Sequence, residues 1–402
     1  MTKTTCAIVG GGPAGMVLGL LLARAGVEVT LLEKHADFLR DFRGDTVHPS
    51  TLRLLDELGL WDRFAELPQS RIDHLGFDAD GQELTLVDFR RLRSQPHPYI
   101  AMVPQWDLLN LLAEAAEAEP TFTLLLEHEV TGVLRDGART TGVRYISPAG
   151  PGELPAELTV ACDGRGSTVR AASGLPIQEW PVPFDVWWFR LPRGGSAEYS
   201  LIPRTGPGRL LIMIPREGYF QIGYLIPKGS DAQLRARGLE AFKAEVAALA
   251  PEADVSELSS WDDVKLLDVK LNRLKRWHSE GLLCIGDAAH AMSPMGGVGI
   301  NLAVQDAVGA ATLLAGPLRR GAVTDADLAA VRRRRLPATV ITQAIQRVLH
   351  RALVVPVFRG AQPEPPAAFA TLLRKLPGLS VIPARIIGVG VRPERAPAFA
   401  RR

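Results

Sequence analysis

The 402-residue chain is 47% hydrophobic and 22% charged, with a formal net charge of +2. That length allows two or three folding units with a sizeable core, and the near-neutral balance excludes a general nucleic-acid binder, which carries a basic excess. No stretch approaches the roughly 18 apolar residues that cross a bilayer, and the first residues lack a signal peptide's apolar region, so a cytoplasmic protein with no transmembrane segment is expected.

Residues 5–9 form a short apolar run that stops at three glycines. A helical pattern follows, with Met16, Leu20 and Ala23 on one face and Gly26 as its stop; Val27 to Leu32 then reads as a second strand. This order is one βαβ unit with parallel strands. Residues 49–67 read as helix, opened by Pro49-Ser50, and a further helix covers 104–118. From 121 to 160, strand-like runs alternate with turn signals at Arg135-Asp136-Gly137 and at 148–152, a hairpin or meander inserted into the nucleotide domain. Leu158 to Gly164 is another buried strand ending in a turn.

Residues 183–228 change character, and their short alternating runs predict an antiparallel sheet. Leu282 to Ile285 reads as the last strand of the nucleotide domain, followed by a helix over 299–314 and a mainly helical remainder with a Pro-rich break at 363–366. The expected fold class is α/β: a discontinuous domain from 1–180 and 265–350, an inserted antiparallel sheet domain at 181–264, and a helical tail at 351–402. Cys6, Cys162 and Cys284 each sit in or beside an apolar run, and no Cys-x-x-Cys pair exists, so buried thiols and no metal site are expected.

Gly10-Gly11-Gly12-Pro13-Ala14-Gly15 satisfies G-x-G-x-x-G. Such a turn lets a pyrophosphate approach the backbone at a helix N-terminus, where N–H groups and the dipole favour phosphate. Alone the string is weak, but it follows a strand, opens a helix, and Glu33 closes the second strand 23 residues after Gly10, where a carboxylate suits ribose hydroxyls. Gly286-Asp287-Ala288-Ala289-His290 follows a strand, and Pro294-Met295-Gly296-Gly297-Val298-Gly299-Ile300-Asn301 opens a helix. Asp287 can accept from a ribityl hydroxyl, and the glycine stretch leaves N–H groups free to stabilise negative charge. Asp163-Gly164, with Ser167 and Arg170, forms a third turn.

These three motifs, in this order and separation, resemble the signatures of class A (single-component) FAD-dependent aromatic hydroxylases, monooxygenases built like para-hydroxybenzoate hydroxylase, over residues 5 to about 350. The resemblance implies a Rossmann-type, glutathione-reductase-like domain holding FAD noncovalently. It also implies NADPH or NADH as a transient reductant, and hydroxylation of a small aromatic substrate by O2 through a flavin C4a-hydroperoxide. It places Gly10, Gly12, Pro13, Ala14 and Gly15 at the pyrophosphate, Glu33 and Lys34 at the adenosine, and Arg43 beside the phosphates and the flavin. Gln105 matches a contact near the ribityl, Val130 a backbone contact to adenine, and Asp163 a turn that meets both cofactors. Asp287 would hold the ribityl chain, Pro294 would lie against the ring, and Gly297, Val298, Gly299, Ile300 and Asn301 would surround its pyrimidine edge.

Flavin chemistry needs no acid–base triad, so no nucleophile is named; His48, Arg190 and Gln221 are the candidates for a catalytic contact. Trp188 and Arg190 share one strand face, Gln221 and Gly223 share another, and Met213 and Tyr224 are further candidates for the substrate. Arg190 and Arg204 are the charges expected to stand out on that sheet. His290 reads as a packing residue, Arg332 to Arg335 as a solvated helix face, and Val381 to Gly390 as a core segment, with oligomerisation or membrane contact through this tail left open. A monomer and a homodimer both remain open. So do two other functions: a flavin-dependent reductase of isoprenoid double bonds, which would not consume oxygen, and a non-catalytic binding protein, which would be colourless. A halogenase would need a Trp-x-Trp-x-Ile-Pro element, which Trp187-Trp188-Phe189-Arg190-Leu191-Pro192 does not supply.

Overall fold

The computed structural model describes residues 3–39, 46–79, 82–192, 203–216, 218–361, 371 and 374–402. The strand Thr4–Val9 lies inside a parallel sheet between Val29–Leu32 and the distal half of Gly150–Ala161. Phe122–Leu125 continues the sheet on one side and Leu282–Cys284 on the other. Strands covered on both faces read as continuous apolar runs, which is why these segments stand out in the sequence. The helix Pro13–Arg24 packs against Gln105–Glu117 and against Gly299–Arg319. Gly19 permits that helix to sit close to the sheet, because a Cβ there would lie 2.6 Å from the Phe122 ring.

The strand Gly150–Ala161 serves two pairings. Its first half runs antiparallel to Arg139–Ser147, which pairs in turn with Glu129–Asp136, forming the meander. Its second half pairs in parallel with Thr4–Val9. The second large sheet is antiparallel, in the order Pro203–Gly206, Arg209–Pro215, Tyr219–Pro227, Phe184–Pro192, Lys265–Leu267. One face of it buries Trp187, Phe189, Met213 and Tyr224 against Phe242 and Val246 of the helix Leu239–Leu249. Strand alternation therefore turns Trp188, Ile212, Ile214, Gln221 and Gly223 to the other face.

Several expectations need correction. The helix expected over 49–67 is two, Pro49–Glu57 and Trp61–Ala65, because Gly59 adopts a left-handed φ of +69° and ends the first. Met213 and Tyr224 lie on the helix-packed face; the Tyr224 hydroxyl donates to Glu245, so neither lines the opposite face. Arg204 bonds Glu252, and its cross-strand partner Leu211 belongs to that same packed face. The helix at 299 runs on to Arg319. Arg335, read as part of a solvated run, is buried in a charge network described below, and Arg334 beside it pairs with Glu394.

The tail helix Val381–Gly388 buries Ala384 and Gly388 while leaving Ile382 and Ile386 exposed. Gly388 fits because a Cβ would lie 3.1 Å from both Phe89 and Pro49. The Pro-rich break at 363–366 lies outside the described residues. Among those described, no helix is long and apolar enough to cross a membrane. Burial pushes the Cys6 and Cys284 thiols up to about 12, which leaves them protonated and unreactive.

Candidate cofactor and substrate site

The three glycine-bearing motifs meet. A Cβ on Gly10 would lie 2.7 Å from the Cys162 carbonyl oxygen and 2.8 Å from the Asp163 Cα, so the first turn rests directly on the second. A Cβ on Gly286 would sit 3.3 Å from that of Ala14, which brings the third motif against the first helix. Arg170 ties the second motif to the third, its guanidinium donating to the carbonyls of Asp287 (3.4 Å) and Ala288 (3.1 Å). Arg165 lies 3.6 Å from the half-exposed Asp287 carboxylate.

The fingerprint glycines divide their work. Gly15 would place a Cβ 2.0 Å from the Gly10 oxygen, so the absence of a side chain there serves the fold and leaves its backbone N–H for a ligand, whereas a Cβ on Gly12 would point into open space. Gly12 is the N-cap of Pro13–Arg24 and supplies no side-chain acceptor, so the first N–H groups of that helix face the opening. Pro13 stands at the first helical turn, where its missing N–H costs nothing. Glu33 is buried, and its carboxylate accepts from the Gly11 N–H at 2.7 Å and the His35 N–H at 3.2 Å. Lys34 next to it is exposed. Val130 is buried two residues beyond His128, whose N–H donates to the Glu33 carbonyl, so this strand start adjoins the end of the acid-bearing strand.

Asp163 accepts from the Val169 N–H, but its Oδ1 is buried with no partner. Burial raises its carboxyl pKa despite hydrogen bonds from Ser167 and Val169. An orphaned buried acceptor beside an open glycine turn fits a hydroxyl-bearing ligand. The long helix Gly299–Arg319 likewise begins at Val298 with no side-chain cap. Both uncapped helix starts suit the electron-rich phosphate and flavin edges of FAD.

The turn before that helix is built precisely enough to orient those N–H groups. Gly297 has φ +63°, and its carbonyl accepts from Thr46 Oγ1 and His48 Nε2, both at 3.0 Å. Pro294 closes the turn, its carbonyl accepting from the Gly297 N–H. Asn301 Oδ1 accepts from Ser50 (2.7 Å) and Thr51 (2.9 Å), so its side chain joins two helices and leaves the backbone of Gly299 and Ile300 to face outward. Gln105 opens its helix three residues after the strand Ile100–Met102, which pairs with Thr46–Val47 and so approaches the same turn. Arg43 lies outside the described residues.

His48 is fully buried, and desolvation lowers its imidazole to about 4, which removes it as a proton carrier near neutrality. His350, donating or accepting at 2.8 Å with Ser293 Oγ, is likewise lowered to about 4 by burial. A histidine depressed when folded binds fewer protons than its unfolded form between about pH 6.5 and 4, so stability falls as pH drops through that window. His48 alone contributes up to about 3 kcal/mol of that slope. Denaturant titrations at pH 7, 5.5 and 4.5 are expected to show a progressive loss that His48→Asn diminishes.

Gln221 is buried, and its Oε1 accepts from Nε (3.3 Å) and Nη2 (2.9 Å) of the buried Arg216, so it is held as part of the sheet. Arg190 is exposed, with its guanidinium 4.9 Å over the Tyr219 ring. Neither has the setting of an acid or base.

Other supporting residues were not singled out from the sequence. Asp306, inside the long helix, accepts from the Gly286 N–H (3.2 Å), His290 Nε2 (2.5 Å) and Arg335 Nε (3.0 Å). Arg335 also reaches Glu394 at 3.3 Å, which ties the tail to the turn bearing Asp287. Gln346 donates to the carbonyls of Ser293 and Met295, holding the loop that precedes Gly297. The available signal was a carboxylate or an amide on an otherwise apolar helix face.

Comparison with known proteins agrees with this geometry. The family model described as FAD binding domain matches residues 3–346. The chain is 36% identical over 359 residues to 6-methylpretetramide 4-monooxygenase of Streptomyces rimosus, covering 87% of this chain and 84% of the relative. It is 27% identical to para-nitrophenol 4-monooxygenase of Pseudomonas sp. (strain WBC-3), covering 79% of each chain. The solved structure of the anhydrotetracycline hydroxylase OxyS of Streptomyces rimosus superposes with a TM-score of 0.76 at 24% identity, covering 98% of this chain and 77% of that one, which supports the fold. This chain therefore belongs to the single-component, FAD-dependent aromatic hydroxylases, and it is a flavoprotein monooxygenase that draws on NAD(P)H.

Proposed function

We propose that the chain hydroxylates a largely apolar aromatic substrate carrying a phenolic oxygen, held between the antiparallel sheet and the glycine turn at Gly297. The observation that carries this reading is the composition of the inward sheet face. Trp188 and Ile212 pack both against the cluster containing Phe184, Val186 and Leu225, with Met295 beside it, and against the cluster containing Phe89, Met102 and Ile214. An apolar wall with few polar groups suits an aromatic ring and excludes water from it.

Bound FAD would supply the oxygen chemistry, taking electrons from NAD(P)H and delivering one atom of O2 to the ring. In this reading the part formed by 1–180 and 265–350 holds that cofactor, 181–264 covers the substrate, and 351–402 braces the turns. Gly12, Ala14 and Gly15 meet the pyrophosphate, Glu33 the ribose and Asp287 the ribityl hydroxyls. The N–H groups of Gly299 and Ile300 bear on the pyrimidine edge, where a helix start stabilises developing negative charge. His48 stays neutral and orients the Gly297 carbonyl. The protein would work in the cytoplasm, as a monomer or homodimer.

The test is the spectrum of the purified protein, followed by NADPH oxidation and oxygen uptake with para-nitrophenol and 6-methylpretetramide. The expected result is a yellow protein whose NADPH oxidation one of these accelerates, with a product heavier by one oxygen. Reduction of a substrate without oxygen uptake would reject the hydroxylase reading.

A further inference from the structure

Trp188 carries a feature that sheet packing does not account for. It stands on the inward face of Phe184–Pro192, directly opposite Gly223 of Tyr219–Pro227. A Cβ on Gly223 would lie 3.1 Å from the six-membered ring of the indole, so the missing side chain is what lets Trp188 lie down on the sheet. The ring is only partly covered, yet its Nε1 is buried and makes no hydrogen bond. Its neighbour Trp187 shows the ordinary solution, with Nε1 donating to Asp231 at 2.7 Å.

A buried indole N–H normally finds an acceptor, because leaving one without water or a partner forfeits its hydration with nothing in return. Trp277 also lacks a partner, but it is wholly enclosed in the nucleotide-domain core. Trp188 instead remains partly accessible where two apolar clusters meet beside Met295, next to the turn that precedes Gly297. The surrounding Ile212, Ile214 and Met295 offer no oxygen from their side chains.

We infer that the Trp188 Nε1–H is a substrate-recognition donor, selecting aromatic substrates that carry a carbonyl or phenolic oxygen at the edge lying against the sheet. The inference rests on the substrate placement proposed above. Gln221 and Arg190 share this face, but Gln221 is held by Arg216 and Arg190 lies over Tyr219, so the Trp188 N–H set among Ile212, Ile214 and Met295 discriminates by being left unpaired when a ligand lacks the acceptor. Gly223 is the second determinant, because a Cβ there would lie 3.1 Å from the indole and push it aside by a few tenths of an ångström.

The test compares FAD-loaded wild type with Trp188→Phe, which keeps an aromatic ring but removes the donor together with the five-membered ring, a loss of bulk that both members of the ligand pair below share. Dissociation constants are measured from the ligand-induced change in flavin absorbance for 6-methylpretetramide and for the matched pair α-tetralone and tetralin, which share a ring frame and differ in the carbonyl. Wild type is expected to favour α-tetralone over tetralin about tenfold, and Trp188→Phe to abolish that preference and weaken 6-methylpretetramide by a similar factor. Equal preference in both proteins, or no binding of any of the three by yellow wild type, overturns the inference. A colourless wild type would instead point to failure of the flavoprotein reading. Should Trp188→Phe lose its FAD, Gly223→Ala serves in its place, with the same loss of preference expected and an unchanged preference overturning the inference.

Discussion

Replacing Gly12 by valine is expected to give a folded protein that purifies without FAD. The Gly12 backbone is extended, with φ −75° and ψ −180°, and its Cβ position meets nothing within 4 Å, so the substitution strains neither backbone nor neighbours. Yet this residue begins the uncapped helix Pro13–Arg24, where a pyrophosphate must approach the backbone closely. An isopropyl group there would separate phosphate from the helix N–H groups, and affinity for FAD should fall more than about a hundredfold, equivalent to about 3 kcal/mol. Gly15→Val is the contrast: its Cβ would overlap the Gly10 oxygen at 2.0 Å, so that variant should fail to fold rather than merely lose colour. Equilibrium dialysis against FAD, with circular dichroism of the apoprotein, separates the two. Gly12→Val retaining wild-type FAD content would mean the pyrophosphate lies elsewhere.

Arg335→Met should cost about 3–5 kcal/mol of stability at pH 7, the usual penalty for orphaning a buried charge. Arg335 is 1% exposed and lies between Asp306 (0% exposed) and Glu394. Removing it leaves Asp306 with His290 and the Gly286 N–H, and it loosens the tail, which keeps Arg334 on Glu394 but loses the Arg335 bonds to Glu394 and the Arg392 carbonyl. Arg335→Lys should recover only part of the loss, since an ammonium cannot span those partners as a planar guanidinium does.

The pH dependence supplies the sign. Desolvation raises the Asp306 carboxyl, but His290 and Arg335 more than offset it and hold it below the ordinary 3.8. A depressed carboxylate contributes stability above its unfolded pKa and loses it as pH falls through the folded value. The deficit of Arg335→Met should therefore be full at pH 7 and shrink below about pH 4. Denaturant unfolding at the two pH values measures this, and a variant within about 1 kcal/mol of wild type at pH 7 would contradict the network.

Much of the parallel sheet was legible in the residues themselves. Cys6 to Val9 and Leu282 to Ile285 are buried and apolar throughout, Val29 to Leu32 is so except for the half-buried Thr30, and each run ends where a glycine or an acidic residue begins a turn. The motif glycines were legible from their spacing, although part of what demands them is long-range: a Cβ at Gly10 would meet Cys162 and Asp163, and one at Gly297 would meet Thr46, while Gly15 is closed off locally by the Gly10 oxygen. The break at Gly59 was not, because a glycine inside an apolar helical pattern is compatible with either continuation or a stop.

What the sequence by itself determined was the order of strands, glycine turns and helices, and with it the family and its cofactor, since these depend on neighbours in the chain. Only the tertiary structure decided which side of the second sheet each residue serves. Met213 and Tyr224 alternate with Ile212 and Gly223, and nothing local says which set meets the helix Leu239–Leu249. It alone also turned Arg335 from a surface charge into a buried one, because its partners Asp306 and Glu394 lie 29 and 59 residues away. Periodicity reports that a face is buried; the identity of what covers it is a long-range fact, set by packing and charge pairing between segments that sequence proximity does not connect.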